Sequence, residues 1–364
     1  MIAEKEIEKE LTAPPNGEEN FSPERITGLA LQLSSKMDSA IKDIQKITFQ
    51  SRILSLNAKV EAARVGEVGA AFSVVASEMG FLSQEISSLV ENLEGEASKD
   101  FKEIAKINAH ISTNYRGLRL SDLALTNIDL IDRNLYERSC DVRWWATDNS
   151  LVDALTKKTS EAYDYASKRM GIILDSYTVY FDLVLCDAEG MIVANGRNEH
   201  YNSTGASVSR SKWFMEAMKC RTGDDFGWGA VHRSPLANDE RVLIYTTAVR
   251  ENGDKYGKII GALGIIFKFD ALAQTIVENT PLSKEEKQKS RVCLVDEKGL
   301  VLADTHCRNL EDTVDFTGKF RLFEDKKGFI LAEYNDSKCC IAHAKAPGYE
   351  TYTTAWHSLI IQTM

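Results

Sequence analysis

The first half of the chain repeats its apolar positions with the period of a helix. Ser22-Pro23 is a typical helix start, in which a serine cap precedes proline at the first helical position. From there, apolar or small residues recur at alternating steps of four and three, which is typical of a coiled-coil seam. The recurring positions are Leu33, Met37, Ala40, Ile44, Ile47, Ser51, Leu54 and Ala58, then Phe72, Val75, Met79, Leu82, Ile86, Leu89 and Leu93.

These two runs are mirror images about a point between Gly66 and Glu67. The mirror pairs Ala58 with Val75, Leu54 with Met79, Ser51 with Leu82, Ile47 with Ile86, Ile44 with Leu89 and Ala40 with Leu93. The arrangement predicts an antiparallel helical hairpin that turns at residues 66–67, where glycine supplies backbone freedom. The mirror fails beyond Leu93, so the predicted arms are short, about 45 Å at 1.5 Å per residue. Because two helices bury little surface, we expect a second copy to complete a four-helix bundle.

The second half, from about Phe181, has the period of strands. The run "FDLVLCDAEGMIVANG" (181–196) predicts a strand, an Asp-x-x-Gly turn and a second strand, and "SRVCLVDEKGLVLADT" (290–305) repeats the design. Aligning Asp187 with Asp296 also aligns Gly190 with Gly299. Longer predicted strands follow each hairpin, and the charged stretch "ENTPLSKEEKQKS" (278–290) reads as a linker between two tandem α+β modules.

The predicted architecture is therefore multidomain, with a helical hairpin followed by α+β modules on a long helix. The predicted segments are a flexible acidic tail (1–21), the hairpin (22–110), connecting helices (111–180), a first module (181–280) and a second module (281–364).

Composition narrows the class of protein. A net charge of −10 argues against a general nucleic-acid binder. The longest apolar run, Ile259–Phe267, is too short to cross a membrane. Seven cysteines without a secretory signal indicate reduced thiols and a cytoplasmic location. No phosphate-binding loop, dinucleotide fingerprint or nucleophile motif is present, so we expect neither an enzyme nor a cofactor.

The hairpin bend resembles the signalling tip of bacterial methyl-accepting chemotaxis proteins. The resemblance is carried by "FQSRILSLNAKVEAARVGEVGAAFSVVASEM" (49–79), which matches the family pattern without a gap. It implies that the tip clusters receptor dimers and binds the coupling protein and the chemotaxis histidine kinase. The residues that the resemblance assigns to these contacts are Phe49, Ile53, Leu56, Asn57, Glu61, Arg64, Phe72 and Val74.

Arg52, Ser55, Lys59 and Gly80 depart from the family pattern, and "GAAF" (69–72) stands where the family has Gly-Arg-Gly-Phe. Two of them add positive charge to the docking end. The family's methylated glutamates lie further from the tip than this seam extends, so no methylation site is assigned. The order of segments, with the tip first and the modules last, is also unusual for the family.

The second half resembles a double Cache domain, the tandem PAS-like sensor of many chemoreceptors. The supporting residues are the two Asp-x-x-Gly hairpins, "SRSKWFMEAM" (209–218) and "GYETYTTAWHSLII" (348–361), while 129–155 fits the helix that leads into such a module. A small-molecule ligand is then expected between the sheet and its covering loops. The candidate ligand-binding residues are Arg210, Trp213, Phe214, Trp228, His232, Tyr245 and Thr247.

Each aromatic candidate also has a plainer interpretation as helix-to-sheet core. Arg210 could pair a carboxylate or phosphate, and the aromatic rings could stack on a ligand. Amino-acid-binding relatives hold the ligand amine with an aspartate late in the last strand. Here the corresponding stretch, "GALGIIFKF" (261–269), is apolar, so a free amino acid is not the expected ligand.

A cysteine–histidine group in the second module raises the question of a metal. His306, Cys307, Cys340 and His343 have side chains that suit zinc. However, 338–346 also reads as a strand, in which Cys340 and His343 face opposite sides. Buried structural cysteines are the favoured interpretation, and we predict no metal site.

The main hypothesis is a cytoplasmic signal transducer that senses a small molecule and signals through the hairpin. The alternative is a non-signalling binding protein that uses the hairpin only to dimerise. A metal-dependent hydrolase built on the second module is a third, weaker hypothesis.

Overall fold

The computed structural model describes residues 23–364, with side chains from Arg25 onward. The predicted tail and the Ser22 cap lie outside the described residues. The chain divides after Arg116 into two units, 1–116 and 117–364. Each is described separately below.

The first unit contains the predicted helical hairpin. Helix α1 (Pro23–Arg64) is followed by a short 3₁₀ turn (Gly66–Gly69) and by α2 (Ala70–Trp145), which continues into the second unit. Gly66 has a φ of +63°, in the left-handed region that a residue without a Cβ adopts at little cost. The bend between α1 and α2 therefore lies within residues 65–69, a range that includes the predicted turn at 66–67.

The two arms pair in a different register from the predicted one, so the predicted residue pairs are wrong. The buried positions, seven apart along each arm, are Ile41, Thr48, Ser55 and Ala62 on α1 and Ala76, Ser83 and Val90 on α2. Ser55 Oγ donates to the carbonyl of Ala76 across the seam at 2.6 Å. The buried positions of the two arms are symmetric about a point between Val65 and Gly66. Near the bend the seam uses the small residues Ser55, Ala62 and Ala76, which let two helix backbones approach closely.

The arms also remain in contact beyond Leu93, where the sequence predicts that pairing ends. Asn108 Nδ2 donates to Thr27 Oγ1 at 2.6 Å, and Gln45 Nε2 donates to Glu94 at 3.4 Å. Polar pairs therefore hold the arms together where apolar layers are absent. The predicted length of the paired region is too short, since α1 alone has 42 residues.

Many of the large apolar residues assigned to the predicted seam are instead exposed. Ile47 is 61% exposed and Leu89 is 67% exposed. The remaining members of this apolar stripe are Leu33, Leu54, Val75, Leu82, Ile86 and Leu93. A continuous apolar stripe on each arm is costly in water and is what a second hairpin would cover in a four-helix bundle.

The second unit begins with helices and the first of two antiparallel sheets. Helices α3 (Asn149–Lys157) and α4 (Ser160–Ser176) follow α2, each starting with a side-chain cap, from Asp148 and Thr159. The first predicted module, called the distal module below, contains β1 (Tyr180–Asp187), β2 (Ile192–Asn195), helix α5 (Lys212–Ala217), β3 (Gly227–Trp228), β4 (His232–Ser234), β5 (Glu240–Arg250) and β6 (Ile259–Lys268). Its sheet has the order β2-β1-β6-β5-β3, and β4 also pairs with β5.

The second predicted module, called the proximal module below, repeats this plan. Its elements are α6 (Phe269–Glu278), α7 (Lys284–Gln288), β7 (Ser290–Val295), β8 (Val301–Asp304), α8 (Lys319–Glu324), β9 (Lys327–Tyr334), β10 (Ser337–Lys345) and β11 (His357–Thr363). Its sheet has the order β8-β7-β11-β10-β9. The predicted linker contains α7, which begins with a capping box between Ser283 and Glu286.

The predicted repeat between the modules extends to hydrogen bonding. Asp187 and Asp296 each accept, through Oδ1, two backbone N–H groups of their own turn, at 2.8–3.1 Å. The strand registers also correspond, with Leu185 opposite Ala194 and Leu294 opposite Ala303. The two modules are therefore copies of one design.

One core joins the inner faces of both sheets to α2. A stripe of α2 is fully buried against them, and it includes Leu120, Ile128 and Leu135. Each sheet also has an outer face with a smaller core of its own, covered by α5 in the distal module and by α8 in the proximal one. The helix thus contacts the inner core of both modules.

The outer core of the proximal module contains a buried histidine pair. His343 Nε2 and His357 Nδ1 lie 2.7 Å apart, and the Phe323 ring stacks on His357 with centroids 3.9 Å apart. Burial lowers the pKa of His343 to about 3 and that of His357 to about 4. Both rings are therefore neutral in the native protein at neutral pH.

We expect the apolar stripe of the hairpin to form a dimer. The double substitution Ile47→Asp and Leu89→Asp should convert the dimer to a monomer, because it would bury four carboxylates in one bundle. Light scattering on the purified full chain measures the mass. The matched control is Val60→Asp, which changes an equally exposed valine away from the stripe and should leave the dimer intact. A dimer that persists in the double variant would refute this assignment.

Stability should fall as the pH drops below the titration range of an unfolded histidine. The unfolded chain binds protons near pH 6.5, while native His343 and His357 stay neutral until about pH 3–4. The free energy of unfolding should therefore decrease from pH 6.5 to 4, by up to about 1.4 kcal/mol per pH unit for each histidine. Above pH 7.5 this contribution is constant.

Urea denaturation across pH 4–8 measures this slope. The variant His343→Gln/His357→Gln should show a shallower slope than the parent chain, whereas His200→Gln, which changes an exposed histidine, should not. Equal slopes in the parent and the double variant would contradict the buried neutral pair.

Candidate functional site

The outer face of the distal module has a cavity of about 610 Å³. Trp213 of α5, only 4% exposed, forms part of its wall and packs against Gly264 of β6, where a Cβ would come within 2.9 Å of the ring. The lining residues come from three segments: Tyr201, Asn202, Ser203, Ala206, Ser207 and Val208; Ser211, Lys212 and Trp213; and Gly229, Ala230, His232, Ser234, Pro235, Leu236 and Asn238.

A buried polar network holds the first of these segments in place. Asn195 Nδ2 donates to Asp182 at 2.7 Å and to the carbonyl of Tyr201 at 3.0 Å. Thr204 Oγ1 donates to Asn195 Oδ1 at 2.8 Å, and the Arg197 amide donates to Asp182 at 2.9 Å. Burial raises the pKa of Asp182 to about 6. The cavity wall is therefore anchored to strands β1 and β2.

The side-chain polar groups of the cavity lining are hydroxyls, the amides of Asn202 and Asn238, the Lys212 ammonium group and the His232 imidazole. None of the lining residues carries a carboxylate. His232 Nδ1 lies 2.9 Å from the carbonyl of Ala230, which makes Nδ1 the donor because a carbonyl only accepts. The hydroxyl of Ser203, which is 3% exposed, has no hydrogen-bond partner in the part of the chain that the structure describes.

The predicted ligand-binding residues are divided between different surroundings. Trp213 and His232 line the cavity, and Phe214 is buried beside them in the outer core. Arg210 is exposed and is not among the lining residues. The sequence pattern did not single out Ser203, a loop residue without a periodic signal, or Lys212, the first residue of the short helix α5.

The other three candidates lie away from the cavity. Tyr245 faces the inner core of the sheet, and Trp228 packs edge-on against Trp356 there. Thr247 Oγ1 donates to the carbonyl of Asp225 at 2.7 Å. Neighbouring side chains along β5 point to opposite faces, and the sequence did not indicate which face carries the cavity.

Tyr245 belongs to an aromatic cluster on the inner face. Its hydroxyl oxygen lies 2.6 Å from that of Tyr352, which belongs to the loop before β11 (346–356, the C-terminal loop). Phe226, Trp228, Trp356 and Phe269 complete the cluster.

Helix α2 holds the C-terminal loop. The fully buried Asp132 accepts from the amide of Gly348 and from Thr354 Oγ1, both at 2.9 Å, and burial raises its pKa. Tyr136 packs edge-on against Tyr349. The inner face of the distal sheet is therefore linked to α2 through this loop.

The cysteine and histidine residues considered for a metal are separated. His306 and Cys307 are exposed, Cys340 faces the inner core, and His343 faces the outer core. Across residues 23–364, no group of three or more His, Cys, Asp or Glu side chains is arranged to hold a metal ion. The alternation that the sequence predicts along β10 is confirmed.

The tip residues assigned to partner contacts are all exposed around the hairpin bend. Phe72 is the most exposed apolar member at 75%, and Arg64 pairs with Glu61 at 3.6 Å. The full set, called the tip surface below, is Phe49, Ile53, Leu56, Asn57, Glu61, Arg64, Phe72 and Val74.

Among the described helices, none combines the length and the apolar content that crossing a membrane requires.

Residues 5–128 match the family model of the methyl-accepting chemotaxis protein signalling domain. Over 69 residues the chain is 48% identical to methyl-accepting chemotaxis protein I of Escherichia coli, a match that covers 17% of this chain and 12% of that protein. Over 100 residues it is 38% identical to methyl-accepting chemotaxis protein IV of the same organism, covering 27% and 17%. The chain thus matches less than a fifth of the length of each of these relatives.

The second unit has structural neighbours. The ligand-binding domain of the Campylobacter jejuni chemoreceptor Tlp3, solved with 4-methylisoleucine, aligns with 69% of this chain and 92% of its own length, at a TM-score of 0.51 and 16% identity. The sensory domain of the same receptor with isoleucine bound aligns with 68% and 93%, at 0.52 and 16%. At this identity the likeness shows the fold alone. The chain is therefore similar to the methyl-accepting chemotaxis protein signalling domain over residues 5–128, and it shares the fold of these solved chemoreceptor domains.

Proposed function

We propose that this protein senses a small molecule in the distal cavity and signals through the tip surface to the chemotaxis histidine kinase and its coupling protein. The observation that carries the proposal is the exposure of every tip residue that the family uses for docking. Exposed large apolar side chains grouped at one end of a hairpin are typical of an interaction surface.

Two departures from the family pattern, Ser55 and Gly80, lie against each other in the structure and fit together. This fit supports a hairpin whose two arms are paired. Ser55 lies in the seam, and a Cβ at Gly80 would come within 2.8 Å of its Oγ. The glycine therefore leaves room for the serine that donates to the Ala76 carbonyl. Two further departures, Arg52 and Lys59, add positive charge near the bend and would favour an acidic surface on the partner.

The proposed signal path from the cavity to α2 crosses strand β5. Ile244 packs in the outer core beside the cavity wall, whereas its neighbour Tyr245 contacts Tyr352 on the inner face. Tyr352 belongs to the C-terminal loop that Asp132 of α2 holds. A ligand that binds one arrangement of this sheet more tightly would shift the population of helix arrangements.

The proposed location is the cytoplasm. None of the seven cysteines, all of which lie in the described part of the chain, forms a disulfide. Reduced thiols support a reducing compartment. We propose no catalytic role.

A non-signalling binding protein is the competing function. It would use the hairpin only for dimerisation and would not require the tip surface. Loss or retention of partner binding in tip variants separates the two functions.

We expect the tip charges to serve docking rather than folding. Glu61→Ala and Arg64→Ala should each change the free energy of unfolding by no more than about 0.5 kcal/mol, because both side chains are exposed. The same substitutions should abolish co-purification with the coupling protein and the kinase, since charges at an interface set partner choice.

Asp153→Ala with Lys157→Ala is the matched control, because it removes another exposed ion pair of the chain. This control should retain the partners. Tip variants that still bind them would favour the competing function.

The tyrosine pair on the signal path should show energetic coupling. Tyr245→Phe or Tyr352→Phe alone leaves one buried hydroxyl without its partner, which costs about 1–3 kcal/mol of the free energy of unfolding. The double variant should cost clearly less than the sum of the two. Urea denaturation of the four proteins measures the cycle, and strictly additive losses would contradict the contact.

A further inference from the structure

We propose that the distal cavity is selective for a small organic carboxylate that carries no ammonium group. This inference rests on the proposed sensor function and names the class of ligand. Three features of the cavity support it: its charge, an unpartnered hydroxyl and its apolar walls.

The charge of the lining opposes a cation and favours an anion. The lining offers a ligand ammonium group no carboxylate to pair with, so only neutral acceptors would replace the water that it loses. Lys212, by contrast, can give a ligand carboxylate a charge-assisted hydrogen bond. Although the whole chain has a net charge of −10, this lining contains a lysine and no carboxylate.

The Ser203 hydroxyl is a donor in need of an acceptor. It is buried, lines the cavity and has no partner within the described chain. Buried polar groups in native proteins are nearly always hydrogen-bonded, so an orphan of this kind in a cavity wall indicates a ligand atom or a water. A carboxylate oxygen would accept from it.

The remaining walls require an organic body on the ligand. Trp213, Val208, Leu236 and Pro235 present apolar surface, and the volume of about 610 Å³ lies in the range of small-molecule sites. An inorganic anion would leave this surface uncovered.

Matched pairs of acids and their 2-amino derivatives test the proposal. The probes are propanoate and L-alanine, 4-methylpentanoate and L-leucine, and 3-phenylpropanoate and L-phenylalanine. Within each pair the two ligands share a carbon skeleton, so the pair isolates the ammonium group. Isothermal titration calorimetry on the full chain measures each Kd directly and does not depend on signalling.

At least one of the three acids should bind. The corresponding amino acid should have a Kd about tenfold or more higher, which is the size of one lost charge interaction. Lys212→Gln should weaken binding of that acid by about fivefold or more without changing the melting temperature, because Lys212 is exposed. Lys219→Gln removes the same charge from the segment after α5 but lies off the cavity, and should leave the Kd unchanged.

An amino acid that binds as tightly as its acid would overturn the selectivity and leave the sensor function standing. Failure of all three acids to bind at about 10 mM would overturn the ligand class. Co-purification of the kinase through the tip surface is measured separately, so failure of the ligand class and failure of the proposed function give different results.

Discussion

The arrangement of the second unit depends on burial of one stripe of α2. Leu120, Ile128 and Leu135 of this stripe are fully buried in the core that the inner faces of both sheets share. Removing this much apolar surface from water is the main favourable term in the unit. Since one rigid helix contacts the inner core of each module, neither sheet can change its packing without affecting that helix.

This shared core decides what each face of the sheets can do. The inner faces are occupied by α2 and by the aromatic cluster around Tyr352, and so they link the modules. The proposed ligand cavity accordingly lies on an outer face. In the proximal module, Phe323 and the stacked histidines fill the outer face. In the distal module, α5 and the loop after β2 leave a cavity there.

The hairpin divides its residues between two contacts in a comparable way. Small side chains such as Ser55 and Ala76 form the contact within the chain, where the backbones are close. Larger residues such as Ile47 and Leu89 remain exposed and available to a second copy. A two-helix contact with small residues contributes little stability by itself, so the proposed second copy would add apolar burial that this unit lacks.

The sequence by itself determined the type and order of the elements. The 3.6-residue period predicted α1 and α2, Gly66 marked the bend, and the repeated Asp-x-x-Gly turns located both modules. Such signals are local, because a period, a cap or a turn is written within about twenty residues. The residues of the tip surface could also be named from the sequence, because they lie within the one continuous run that resembles a known family.

Only the tertiary structure decided which stripes and faces meet. The seam shifted toward Ser55 because close backbone approach favours small residues over the largest apolar ones. Tyr245 and Ile244 are adjacent in sequence, yet one faces the C-terminal loop and the other packs beside the cavity wall. Ser203 and Lys212 line the cavity because the loop after β2 and the start of α5 lie side by side there, and no periodicity encodes that placement. A site assembled from separate segments depends on long-range packing, and that packing is what a single sequence does not reveal.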